Sequence, residues 1–380
     1  MAASKPHAII ALDLLRFASA LLVVAFHYGA AFALAPSAAA AALLHALPVT
    51  APLARASWFG WIGVELFFMI SGFVIALSAE GIGIATFLRR RALRLLPAAW
   101  ICATVTLGVV AVTLPAHDLP LRWLRSVTFW PGDGGWIDPS YWTLPIEICF
   151  YLLIATGLGT GGTLAAIEQR ARWLGLASVA FWIVVLCTGW TASPLLQYQS
   201  APLLLARYGC IFALGVTILA LLRDHTTRLR LGLLSLFAAT ALLEIAAHAI
   251  ERATTLRIAA TPLVPMLVFI AGLVVMLASL KLQPLLQRYI GTRIASRVGL
   301  MTYPLYLIHQ DVGAAAAAAL MRGGLPFAPA ILLTLVGALA FAYWVASVAE
   351  PALRRPLARL FSPRHAPARD RFPNASLPGG

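Results

Sequence analysis

An arginine and a histidine stand eleven residues apart in an otherwise apolar stretch: Arg16 and His27 in Asp13-Leu-Leu-Arg-Phe-Ala-Ser-Ala-Leu-Leu-Val-Val-Ala-Phe-His27. Residues 9–34 are long enough to cross a bilayer as a helix, which takes about 20 mostly apolar residues. Ionisable groups are costly in that setting and by default mark a working site. At about 100° per residue, eleven steps bring the two side chains within roughly 20° of one helix face, about 16 Å apart along the axis. That face carries a fixed cation toward one end and a titratable base toward the other. An imidazole oriented by a carboxylate is a general base for a hydroxyl.

Other apolar runs supply partners for such a base. Glu65 sits in Gly63-Val-Glu-Leu-Phe-Phe-Met-Ile-Ser-Gly72, Glu147 in Tyr141-Trp-Thr-Leu-Pro-Ile-Glu147, and His309 precedes Asp311 in a later run. Counting depth along alternating spans places Glu65, Glu147, His27 and His309 in one half of a bundle. Bland roles stay open: a membrane histidine can simply bridge helices, and Glu65 or Glu147 can pair with an arginine. Glu244 and His248 are four residues apart on one helix, can bind each other, and read as structural. Arg89, Arg90, Arg91 and Arg94 fall within six residues. Arg91 and Arg94 share a helix face if this stretch is helical. Arginine forks suit phosphates, although a basic loop also follows from membrane topology.

The elements that must position these groups follow from composition. The chain is 61% hydrophobic and 11% charged, with a mean hydropathy of +0.88; soluble domains carry about 25% charge. The fold class is all-α, a polytopic transmembrane bundle, since helices satisfy their own backbone in lipid. About ten spans are expected, with cores near 9–33, 59–77, 95–114, 141–158, 173–190, 203–222, 231–250, 262–280, 299–320 and 330–348. An even number puts both termini on one side. Twenty Lys and Arg fall on that side against six on the other, so both termini are expected in the cytoplasm.

The net charge of +14 lies in short loops between apolar runs, which argues against a nucleic-acid face. Lys5 and Ala33-Leu-Ala35 imitate a signal peptide, but the apolar run exceeds the usual 7–15 residues and carries Asp13, Arg16 and His27. It reads as a retained first helix. The four cysteines lack metal or redox spacing, the histidines lack a His-Glu-x-x-His pattern, and no metal is expected. Gly157, Gly159, Gly161 and Gly162 read as a flexible turn, not a phosphate-binding fingerprint. Residues 1–350 form one membrane domain, and the Pro- and Arg-rich tail 351–380 is expected to be disordered in the cytoplasm. Two outside loops are expected, 34–58 and 115–140. The second carries Trp123, Trp130, Trp136 and Pro131-Gly-Asp-Gly-Gly135, suited to interfacial anchoring or to stacking on a sugar.

Taken in order, Asp13-Leu-Leu-Arg16 through His27, Gly63 through Phe73, Arg90-Arg-Ala-Leu-Arg94 before Pro97, Tyr141 through Glu147, and Tyr303-Pro-Leu-Tyr-Leu-Ile-His309 resemble the acyltransferase-3 family of integral membrane O-acyltransferases. The resemblance covers roughly residues 9–350. It implies transfer of an acyl group, acetyl by default, from cytoplasmic acyl-coenzyme A to a hydroxyl. Acceptors in the family are mostly cell-surface or exported carbohydrates, and lipid-linked sugars stay open. His27 would be the catalytic histidine and Arg16 its companion, with Glu147 beside them. Arg90, Arg91 and Arg94 would meet the coenzyme A phosphates, with Glu65, His309 and Asp13 in support. Acyl-coenzyme A is then a donor substrate rather than a resident cofactor, and the location is a plasma membrane, the bacterial inner one. Some relatives carry an extra extracytoplasmic domain; here a separate partner protein is one way to supply it. The rival reading is a transporter or flippase using Arg16, His27, Glu147 and His309 as a relay. A third is a non-catalytic scaffold.

Overall fold

A computed structural model describes residues 9–50, 52–114, 116–130, 135–159, 162–189 and 200–361, and every regular element among them is helical. The first span is α1 (Ile10–Ala25), a π turn over Phe26–Ala31, and α2 (Phe32–Leu34). Short helices α3 (Ala38–Leu44) and α4 (Pro52–Ser57) lead into α5 (Gly63–Ala79). Then come α6 (Ile84–Thr113), α7 (Leu119–Thr128), α8 (Thr143–Leu158), α9 (Leu164–Cys187), α10 (Ala201–Arg223), α11 (Arg228–Leu256) and α12 (Leu263–Tyr289). The chain continues through α13 (Thr292–Ile308), α14 (Asp311–Arg322), α15 (Phe327–Trp344) and, past a second π turn, α16 (Glu350–Leu360).

Nine helical stretches among the described residues are long and apolar enough to cross a membrane. The expected span not among them, the ninth, over 299–320, is α13 followed by α14, two helices of 17 and 12 residues that meet at His309 and Gln310. The expected outside loops are partly helical, as α3, α4 and α7. In α7 the Arg122 Nε–H donates to Asp118 Oδ2 at 2.7 Å, four residues apart. Trp123 donates its indole N–H to Thr104, Trp130 is exposed, and residues 131–134 lie outside the described residues. So does Gly161 of the glycine turn.

The expected disordered tail needs correcting. Helix continues to Leu360, with Pro351 tolerated in the first turn, where its missing N–H is unneeded. Arg89 donates to the Ala358 carbonyl at 3.1 Å and Arg94 to Glu350 at 3.3 Å, which docks α16 on α6. Residues 362–380 lie outside the described residues.

The core is built on close helix approach. A Cβ at Gly72 would stand 2.1 Å from the Phe212 carbonyl oxygen, and one at Gly215 2.0 Å from that of Met69. Helices α5 and α10 therefore pack backbone to backbone, the usual route to tight contact where lipid removes the hydrophobic drive. On the outside, Leu267, Ile270 and Val274 of α12 and Leu332, Leu333 and Val336 of α15 are exposed, an apolar belt suited to acyl chains. Arg207 of α10 and Glu244 of α11 form a buried pair at 3.2 Å.

Two stability outcomes follow. Gly215→Val forces α10 off α5 and should lower stability by about 1–3 kcal/mol. Glu244→Ala leaves the Arg207 guanidinium only the looser contact to exposed Glu251 at 3.7 Å and should cost up to about 3–5 kcal/mol. Thermal unfolding in detergent measures both; an unchanged midpoint for either variant contradicts the packing described.

Candidate active site

Two cavities among the described residues share no lining residue. The first has about 790 Å³ of empty space and is lined by Arg16, Arg91, Arg94, Ser71, Glu147 and Tyr303, among others. Arg91 donates to the Ser78 hydroxyl, and its guanidinium lies 5.6 Å and 5.7 Å from the Phe87 and Tyr151 ring centres. Arg94, paired with Glu350, lies 5.7 Å from the Tyr303 ring. Glu147 accepts from Tyr151 at 2.6 Å and from Ser71 at 3.4 Å. Three cations thus face one carboxylate on these walls, an electropositive cavity. Asp13 borders it: a Cβ on the lining residue Gly299 would stand 2.7 Å from Asp13 Oδ1. Arg90 is exposed and lies off the lining.

The second cavity has about 620 Å³ of empty space and is lined by His27, Ser37, Arg252, Thr255 and Gln310 with Phe26 and Phe32. His27 sits in the π turn that follows α1, a widened turn common at working sites. Its Nδ1 lies 3.0 Å from the Val23 carbonyl oxygen and 3.1 Å from His309 Nε2. His309 is fully buried, and its Nδ1 lies 2.7 Å from the Tyr306 carbonyl oxygen. A carbonyl only accepts, so both neutral rings carry their proton on Nδ1. His309 donates to Tyr306, its bare Nε2 accepts from His27, and His27 Nε2 is left with a free lone pair.

The break between α13 and α14 presents His309. In a continuous helix the Tyr306 carbonyl would accept from the Gln310 N–H, and the Leu307 carbonyl from that of Asp311. Instead the His309 ring donates to Tyr306, and the Asp311 N–H donates to Asp138 Oδ2 at 3.0 Å. Asp138 is itself fully buried, and its Oδ1 accepts from the backbone and side chain of Ser140 at 2.9 Å and 2.6 Å. It caps its own turn and the first turn of α14 together.

The expected meeting of carboxylates and histidines needs two corrections. Glu147 belongs to the arginine cavity: the Tyr151 hydroxyl, one turn along α8, and Ser71 of α5 hold its carboxylate there. Glu65 is occupied by His248, whose Nδ1 lies 2.9 Å away, and Arg252 donates its Nε–H to His248 Nε2 at 3.0 Å. Glu244 and His248 do not bind each other; Glu244 takes Arg207 instead. Arg16 and His27, predicted on one face, line different cavities, as their axial separation dictates. Glu65, Glu244 and His248 do offer three ligand atoms within 4.8 Å of one another. A cation there would have to displace the Arg252 contact, because both His248 nitrogens are engaged.

Two residues of the site escaped the sequence reading. Asp138 stands before Pro139, an N-cap signal that was legible in the sequence. Arg252 counted only as an outside charge, although it lies one helical turn beyond His248. Asp138→Ala should strand the Asp311 N–H and cost about 1–3 kcal/mol, with Asp138→Asn, which keeps an acceptor oxygen, costing less. Thermal unfolding separates the two, and equal losses would contradict the capping role.

Comparison with curated proteins and with solved structures gives no match. The model of the acyltransferase-3 family, described as an acyltransferase domain, matches residues 9–347. That span holds both cavities and nearly the whole chain, and the chain belongs to the acyltransferase-3 family of membrane proteins.

Proposed function

We propose that this membrane acyltransferase moves an acyl group, acetyl by default, from cytoplasmic acyl-coenzyme A to a hydroxyl of a cell-surface or exported carbohydrate. The observation that carries the reading is the pair of cavities along the first span, arginines in one and the free lone pair of His27 in the other. With the basic loops inside, the arginine cavity faces the compartment that makes acyl-coenzyme A, in the plasma membrane of a bacterium. Arg16, Arg91 and Arg94 suit its phosphates, as forked donors do. The rise from Arg16 to His27, about 16 Å, is of the order of an extended pantetheine arm.

In the transfer step His27 Nε2 takes the proton of the acceptor hydroxyl. The oxygen attacks the thioester carbon, the carbon–sulfur bond breaks, and the thiolate of coenzyme A leaves and takes up a proton. The imidazolium formed on the way keeps its Nδ1–H on Val23 and His309, so the ring does not turn as its charge changes. An acyl-enzyme is not required, because the histidine cavity receives the acceptor beside the base.

The test uses purified protein in nanodiscs, labelled acetyl-coenzyme A and a panel of surface glycans. His27→Ala should lower transfer about 10²- to 10⁴-fold. Arg91→Gln should raise KM for acetyl-coenzyme A about tenfold, the worth of one hydrogen bond to a charged group, with a smaller change in kcat. Transfer that survives His27→Ala sinks the assignment of the base. Glycan movement without release of coenzyme A would favour a transporter.

A further inference from the structure

Arg252 takes no part in the step just described, yet it is the one charged side chain on the described wall of the histidine cavity, beside the neutral His27. Its placement is built. Glu65, fully buried on α5, accepts from His248 Nδ1–H at 2.9 Å. That fixes the tautomer, so His248 Nε2 is an acceptor and takes the Nε–H of Arg252 at 3.0 Å. Trp61 packs its ring against His248 with centres 4.2 Å apart. The elbow of the guanidinium is therefore held from behind by a carboxylate, an imidazole and an indole. Its two terminal NH₂ groups make no hydrogen bond or ion pair with the described residues.

The surroundings leave that fork without a counter-charge. Glu251, its chain neighbour, lies 3.7 Å from Arg207. Asp311 is buried and accepts from Ser37, a lining residue, at 3.4 Å. No carboxylate lines the cavity among the described residues. The donors of the fork reach the accessible wall of the cavity, where an anion can take the place of water. Carboxylates and phosphates complete the fork best, through two parallel hydrogen bonds. The remaining walls suit a sugar: Ser37, Thr255 and Gln310 offer hydroxyl and amide groups, and Phe26 and Phe32 offer apolar rings.

We propose that the histidine cavity takes an acidic saccharide, with a carboxylate or phosphate bound by Arg252 while a hydroxyl of the same saccharide lies at His27 Nε2. The inference rests on the acyl-transfer reading for the role of His27, but the binding of the anion stands apart from it. Glu65 and His248 are then positioning residues, which gives this buried polar chain a role.

The experiment is calorimetric binding to the His27→Ala protein in nanodiscs, with no acyl donor present. The probes are a disaccharide containing glucuronate, one containing a sugar phosphate, and their neutral glucose counterpart. At least one acidic probe should bind tenfold or more tightly than the neutral one; the two acidic arms distinguish carboxylate from phosphate. Arg252→Gln should abolish the preference and Arg252→Lys should keep part of it. As a check that needs no folded Arg252 variant, the preference should shrink between 50 mM and 500 mM salt. Equal binding of acidic and neutral probes, binding of neither, or a preference that survives Arg252→Gln would overturn the proposal. An acid preference without acyl transfer by the His27 protein would instead leave the anion site standing and count against the transferase chemistry.

Discussion

The contact on which this site depends is the hydrogen bond from the Asp311 backbone to the Asp138 carboxylate. At membrane depth a broken helix is tolerated only where other groups take up its freed backbone donors and acceptors. Asp138 does so from a neighbouring element, and the ring of His309 does so from within the break. That arrangement turns a predicted single span into two helices and lets a fully buried histidine meet the π turn of the first span. The two irregularities face each other, one in each helix, and the paired rings lie between them with centres 4.8 Å apart.

The same demand for internal partners organises the other buried charges. Three pairs bridge helices: Arg207 to Glu244 between α10 and α11, His248 to Glu65 between α11 and α5, Arg94 to Glu350 between α6 and α16. Lipid supplies no hydrogen bonds, so these pairs fix which helices are neighbours. The glycines of α5 and α10 then set how near they come. Specific contacts of this kind suit a bundle in which apolar burial alone does not discriminate one helix face from another.

Much of this was legible in the sequence. Composition alone gives the class of fold, and the spans emerge from runs of apolar residues. Arg16, His27 and the arginine run stand out because charge in such runs is rare. The arginine cavity gathers two of the three residues expected at a phosphate site, Arg91 and Arg94, with Arg16 beside them, and His309 does reach His27. What was not legible is pairing. His248 and Glu65 are 183 residues apart, and Asp311 and Asp138 are 173 apart. Depth arithmetic places such groups at a level but not around the circumference of a helix, which is why Glu147 and Glu65 were expected beside His27. The helical tail to Leu360 was hidden by its prolines, which read as breakers although one sits in the first turn.

The partition between the two cavities has a consequence for the membrane itself. A protein that opens toward both faces risks becoming a leak, and a leak dissipates the ion gradients a cell lives on. Here the two cavities share no lining residue, and the buried His309 ring, hydrogen-bonded to His27, lines neither of them. A bundle whose cavities stay separate can pass cargo on a flexible arm from one to the other while giving a hydrated ion no continuous aqueous path, an insulator with a contact point rather than a channel with a gate.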